Sequence, residues 1–177
     1  MNISRCLKHL AMTDRQVRRA FPKATLKAIG QAIEASEASH CGEVRFVVEG
    51  ALEILPLWRG QSAHERALEL FSQLRIWDTE HNTGVLIYLL LADRQVEIVA
   101  DRGIHGRAGA PAWTDICQAL EGQFRTSAFE AGALAAVAAV TREFQAHFPR
   151  PGPDSPDFAN TPTAGRLNEL TNAPLLL

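Results

Sequence analysis

The apolar positions of this chain switch between a spacing of two and a spacing near four, and the switches lay out strands and helices. Residues 85–91 read VLIYLLL, with hardly a polar break. A strand apolar on both faces must be covered on both faces, which predicts layers of helix above and below it. Ala92, Asp93, Arg94 and Gln95 form a short polar interruption suited to a hairpin turn, and 96–100 is the return strand. Both strands of this hairpin are expected to be central, with low exposure. An earlier strand covers 43–49. There Val44, Phe46 and Val48 point one way, and Glu43, Arg45 and Val47 the other.

Helical spacing fills most of the rest. Pro22 opens a helix over 23–39 with Leu26, Ile29 and Ile33 on one face, and Gly42 reads as its C-terminal stop. Residues 50–60, with Pro56 and Trp58, read as a loop. Ser62 and Glu65 have the spacing of a capping box, in which each side chain bonds the other's backbone N–H. The helix they start runs to about residue 74, with Ala67, Leu70, Phe71 and Leu74 inward. Residues 76–83 are a polar loop. After Gly103 a glycine-rich loop is expected, then a helix over 111–122 with Pro111 in its first turn. Ser127 is placed to cap a last helix reaching His147, with Leu134, Val137, Phe144 and Phe148 as its buried stripe.

The first 22 residues carry Arg5, Lys8, Arg15, Arg18 and Arg19 against a single acid, Asp14. Ile3, Leu7, Leu10, Val17 and Phe21 recur at roughly helical spacing, with Thr13 and Asp14 as a cap between two short helices. One reading is a membrane-surface or partner-docking arm. The other is a helix packed on the core with its arginines in water. The apolar face is thin and lacks tryptophan, which favours packing. At the other end, six of the nine prolines follow Phe148. Residues 151–165 should be extended or disordered. Leu167, Leu170, Leu175, Leu176 and Leu177 disfavour a free tail, and docking on the chain's own domain is expected. The division is then a basic arm over 1–22, an α/β domain over 23–149 and a proline-rich tail over 150–177. The fold class is α/β: a three-layer α/β/α sandwich with a small mixed β-sheet.

Composition narrows the partners. The chain has 177 residues, 46% hydrophobic, with a net charge of −2, and this whole-chain balance predicts no nucleic-acid or membrane partner. The longest apolar stretches, 85–92 and 131–140, are too short to span a bilayer. The N-terminus has no uninterrupted apolar leader core, so the cytosol is the expected compartment, with peripheral attachment at an inner membrane as an extension of it. Cys6, Cys41 and Cys117 are odd in number and have no paired spacing, so reduced structural thiols fit best. A monomer or weak dimer is expected.

The chain resembles the TPM-domain family, closest to a compact bacterial branch related to thylakoid-lumen proteins. The residues that carry the resemblance are HCGEVRFVVE at 40–49, WDTEHN at 77–82, GVLIY at 84–88, EIVADRGI at 97–104 and FQAHFP at 144–149, within a span of 15–149. Thr83 stands where the family usually carries Asn, so the resemblance supplies no side-chain amide ligand there. It implies calcium binding, which has been described in relatives, and a protein partner associated with membranes. Weak phosphatase activity, reported for plant relatives, is the other implied function.

The residues themselves point to the same edge. A strand–helix–strand connection makes the first two strands parallel, and the hairpin makes the third antiparallel. The starts of the first two and the end of the third then collect Glu43, Asp78, Glu80, Asn82 and Asp101. All offer oxygen, the ligand type of Ca2+ or another divalent cation. Without the family, such acids read equally as a solvated rim. Arg102, His105 and Arg107 in the segment after Asp101 are candidate anion-binding groups. That segment lacks the strict phosphate-loop patterns, so a turn with exposed bases is the plainer reading. His64 and Glu65 are not part of a zinc-protease motif, because Leu68 holds the second histidine position. Trp58, Trp77 and Trp113 lack an accompanying basic groove and read as packing or rim residues. The expected function is a non-catalytic, cation-binding accessory or interaction domain; the alternative is a weak metal-dependent acid phosphatase.

Overall fold

The doubly apolar strand 85–91 required cover on both sides, and the computed structural model supplies it. It describes residues 3–151 and 170–177. In chain order the elements are α1 (Ile3–Ala11), α2 (Asp14–Ala20), α3 (Lys23–Glu37), β1 (Glu43–Glu49), α4 (Ile54–Trp58), α5 (Ala63–Gln73), β2 (Gly84–Leu90), β3 (Gln95–Ala100), α6 (Arg102–Ala108), α7 (Ala110–Arg125), α8 (Phe129–His147) and β4 (Leu175–Leu176). The sheet order is β3-β2-β1-β4. β1 runs parallel to β2 and to β4, and β2 is antiparallel to β3.

The period-two alternation sorts side chains into two cores. Val44, Phe46, Val48, Ile87 and Leu89 meet Ile29 and Ile33 of α3, Leu120 and Phe124 of α7, and Val140 and Phe144 of α8. On the other face, Val47, Leu86, Tyr88, Leu90 and Val99 meet Leu52, Leu57, Ala67 and Leu70 from α4, α5 and the segment before them. The result is the expected α/β/α sandwich. The expected capping box forms between Ser62 and Glu65, and the Thr13 cap is also a capping box, closed by Gln16.

Several local expectations change. β3 is an edge strand rather than a central one. It stays screened because α7 lies along it: Val96 N–H reaches Glu121 Oε1 at 3.5 Å. The segment after Gly103 is helix, not loop. Asp101 caps α6 by accepting the Arg102 N–H at 2.7 Å, and Ile104 is fully buried beneath it. The 50–60 loop contains α4, pinned by buried Leu57. Ser127 does not cap α8; it adopts φ 61, and Ala128 holds the cap position. Gly42 does not stop α3, which is capped at Ala38. Its missing side chain makes room for Phe144, whose ring a Cβ would meet at 2.0 Å. In the N-terminal arm, Val17 and Phe21 are buried as expected, whereas Ile3, Leu7 and Leu10 are exposed.

The expectation for 151–165, and Leu167 with it, falls largely on residues outside those described. The last eight residues are docked on their own domain. Leu170 is buried in the second core, and Arg45 Nη1 donates to the carbonyls of Thr171 at 2.5 Å and Ala173 at 2.7 Å. Leu177 N–H donates to Val48 O, and Gly50 N–H to Leu177 O. Truncation after Arg150 should therefore lower the melting temperature at constant solution mass. The loss should be on the order of 2–4 kcal/mol, from one leucine and a few hydrogen bonds. An unchanged melting temperature would show the docking to be energetically idle, and a fall from dimer to monomer would show exchange between chains.

Candidate functional site

Strand direction brings the start of β1, the start of β2 and the end of β3 to one edge. Glu43 is in register with Gly84, and Asp101 N–H donates to Gly84 O at 2.9 Å, so Gly84 lies between the two acids. The 76–83 loop folds tightly over this edge. A Cβ on Gly84 would lie 1.9 Å from the Ile76 carbonyl oxygen, and one on Gly103 2.5 Å from that of Asn82. Only glycine permits either approach. Thr83 ties the loop down: its N–H donates to Thr79 Oγ1 at 2.9 Å and its hydroxyl to the Cys41 carbonyl at 3.1 Å. The Thr83 carbonyl in turn accepts the Glu43 N–H at 3.2 Å.

Asp101, Asn82 and Glu43 are thus brought to one edge. Asp101 uses Oδ1 to cap α6, while its Oδ2 is buried and has no hydrogen-bond partner. Asn82 adopts φ 53, accepts the Arg102 Nε–H at 3.1 Å on Oδ1, and accepts the Gly103 N–H at 3.0 Å on its carbonyl. Glu43 is buried. Asp78 and Glu80 are exposed, on the loop's outer side. Among the described residues, no three His, Cys, Asp or Glu side chains converge in a metal-holding group.

The three candidate bases have separate surroundings. Arg102 holds Asn82. Arg107 donates to the His147 carbonyl at 2.7 Å and lies 4.2 Å over the Phe148 ring, pinning the end of α8. His105 is exposed on a groove of about 400 Å³ shared with His64 and Glu97. His64 Nδ1 stands 3.1 Å from Glu97 Oε2. All three cysteines are free. Burial, then nearby Glu97, pushes the Cys117 thiol up to about 12, which removes it as a nucleophile at neutral pH.

Sequence reasoning missed a polar network at the opposite end of the sheet. Arg66 of α5 grips Glu49 with Nε at 2.9 Å and Nη2 at 3.1 Å, and Tyr88 Oη donates to Glu49 Oε2 at 2.7 Å. The one signal available was the chain's single tyrosine inside an apolar strand, since a buried phenol requires a partner.

A family model for the TPM domain matches residues 14–143, from α2 through most of α8. The chain belongs to the TPM-domain family. Among solved structures it is similar to the NMR structure of the BA42 protein from the psychrophilic bacterium Bizionia argentinensis. That match has 25% identity, a TM-score of 0.69, and covers 87% of this chain and 93% of the other. It also shares its fold with the N-terminal domain of a protein from P. gingivalis, at 21% identity and a TM-score of 0.57, covering 70% of this chain and 76% of that one. No curated protein matches it. The TPM-domain match includes every candidate residue of the Glu43–Asp101 edge and leaves α1 and β4 outside.

Proposed function

We propose that this TPM-domain protein is a non-catalytic, divalent-cation-binding module, with calcium the fitting ion, that serves a protein partner. The supporting observation is Asp101 Oδ2, a buried carboxylate oxygen with no donor. Such an orphan costs about 1–3 kcal/mol, and a bound hard cation relieves it. Asp101, the Asn82 side-chain oxygen and Glu43 would hold the ion from the sheet edge. Asp78 and Glu80 would approach from the rim, with water completing a flexible oxygen shell. Arg102 opposes binding, because its guanidinium occupies the Asn82 oxygen and carries a like charge.

Calcium at about a hundredfold its Kd should raise the melting temperature by roughly 5–10 °C. Asp101→Asn should remove that rise, and Arg102→Gln should tighten binding. A wild type indifferent to millimolar Ca2+, in melting temperature and in backbone NMR shifts, would overturn the proposal. A weak metal-dependent acid phosphatase is the second reading. It needs positive groups converging on a phosphoryl oxygen, and Arg102 and Arg107 are engaged elsewhere. Hydrolysis of p-nitrophenyl phosphate by the wild type, lost in Asp101→Asn, would put that reading first.

A further inference from the structure

Helix α1 turns its polar side to the protein and its apolar side to water. Arg5 Nε and Nη2 both stand 2.9 Å from Asp93 Oδ2 in the β2–β3 turn. His9 is buried, accepts the Leu52 N–H on Nδ1 at 3.0 Å, and places Nε2 3.1 Å from Asp93 Oδ1, within ion-pair distance but out of line for a hydrogen bond. With Arg5 and His9 fixed inward, Ile3, Leu7 and Leu10, spaced about one turn apart, point outward at 66%, 62% and 64% exposure.

The same end of the fold exposes a second apolar face. The Leu52 backbone that meets His9 leads within two residues into α4. There only Leu57 is buried, and Ile54, Leu55 and Trp58 are 61%, 69% and 66% exposed. Leu177, half-exposed, follows β4 and lies beside Gly50. Exposed large apolar side chains thus come from three segments whose backbones meet around residues 50–52, which is more than the scatter normal for a soluble surface. Exposed Lys8, Arg15, Arg18, Arg19 and Arg94 lie on α1, α2 and the β2–β3 turn against exposed Asp14, whereas Arg59, just after α4, shares a cleft with exposed Glu65 and Glu69 and has exposed Glu53 nearby; Asp93 is engaged by Arg5. The whole chain is net negative, so this positive charge is local.

We propose that this end is a membrane-surface docking face, with α1 and α4 lying in the headgroup layer of an anionic bilayer. Apolar residues including tryptophan, rimmed by Lys and Arg, have the chemistry of an interfacial helix. The tryptophan that α1 lacks is supplied by α4. A second copy is the poorer occupant, because a two-fold contact would set the basic rims against each other. Among the described residues no helix is long and apolar enough to cross a membrane, so the attachment is to the surface. The face is at the C-terminal end of β1. The Asp101 edge is at the other end, about 20 Å away at strand rise, and the proposal does not depend on cation binding there.

The test is flotation of the full chain with vesicles of equimolar phosphatidylcholine and phosphatidylglycerol. The wild type should float with them, should fail to float with phosphatidylcholine alone, and should be released by high salt. Leu7→Asp with Leu10→Asp should weaken binding about tenfold or more per leucine while leaving the melting temperature unchanged, since both side chains are already in water. Lys8→Glu with Arg15→Glu should weaken it about fivefold or more per residue. A wild type that stays unbound, or leucine variants that float as well as the wild type, would overturn the proposal. So would a vesicle-free dimer that the leucine variants dissolve, which would assign the face to a second copy.

Discussion

Leu86→Asp should abolish folding. Leu86 is fully buried at the middle of β2, hydrogen-bonded to β1 on one side and β3 on the other, and its side chain is part of the α5-side core. Losing a buried leucine costs about 2–5 kcal/mol. Placing a carboxylate there without a partner adds several more. Their sum is comparable to the roughly 5–15 kcal/mol that holds a whole domain together. The expected result is a chain with no cooperative melt by circular dichroism. Leu86→Met, which keeps the volume, should lose less than about 1.5 kcal/mol. Leu68→Asp on the half-exposed side of α5 should stay within about 0.5 kcal/mol of wild type. A cooperative Leu86→Asp melt within a few degrees of wild type would contradict a sheet covered on both faces.

The elements legible in the sequence are those decided by their own residues. The Ser62–Glu65 capping box, the Thr13 cap and the alternation in 43–49 are local signals, and the apolar run 85–91 has one solution, a covered strand. The illegible features depend on distant partners. Gly103 and Gly106 weaken helix propensity, so α6 reads as a loop until burial of Ile104 and the Asp101 cap outweigh it. The edge position of β3 follows from β4 pairing with β1 instead, a contact between Val47 and Leu175 across most of the chain. The apolar pattern of α1 marks a helix but not which way it faces. That is set by Asp93, eighty-eight positions beyond Arg5.

The candidate site follows the same division. Chain direction alone places Glu43 and Asp101 on either side of the β2 start, and the structure has them there. Asp78 and Glu80 are carried to the rim because their loop is tied down by backbone bonds, from Asp78 N–H to Arg75 O and from Asn82 N–H to Thr79 O. Arg107 looks available in the sequence. Its partners are at His147 and Phe148, at the end of a helix that has first to fold back across the sheet.

Arg66→Ala should be the most damaging substitution at a residue that no sequence pattern singles out. Glu49 is 5% exposed, and its two oxygens take the forked guanidinium and the Tyr88 hydroxyl. Removing the arginine leaves a buried carboxylate with one neutral donor, which typically costs about 3–5 kcal/mol. The lower half of that range is expected, because the Arg66 side chain is 21% exposed and water can enter behind it. The melting temperature should fall by roughly 6–16 °C. Replacing all three groups with Glu49→Leu, Arg66→Met and Tyr88→Phe should recover most of the loss, since an apolar substitute of similar volume avoids the desolvation of both charges. Burial, and then Glu49, raises the Tyr88 phenol above its ordinary value. Its raised folded-state value means that the stability it brings is complete below the unfolded tyrosine range, about pH 10, and declines as pH rises through it. Wild-type stability should therefore drop in alkaline solution, and Tyr88→Phe should flatten that drop. If Arg66→Ala loses less than about 1 kcal/mol, the Glu49 carboxylate is hydrated in solution and the network contributes as a surface pair.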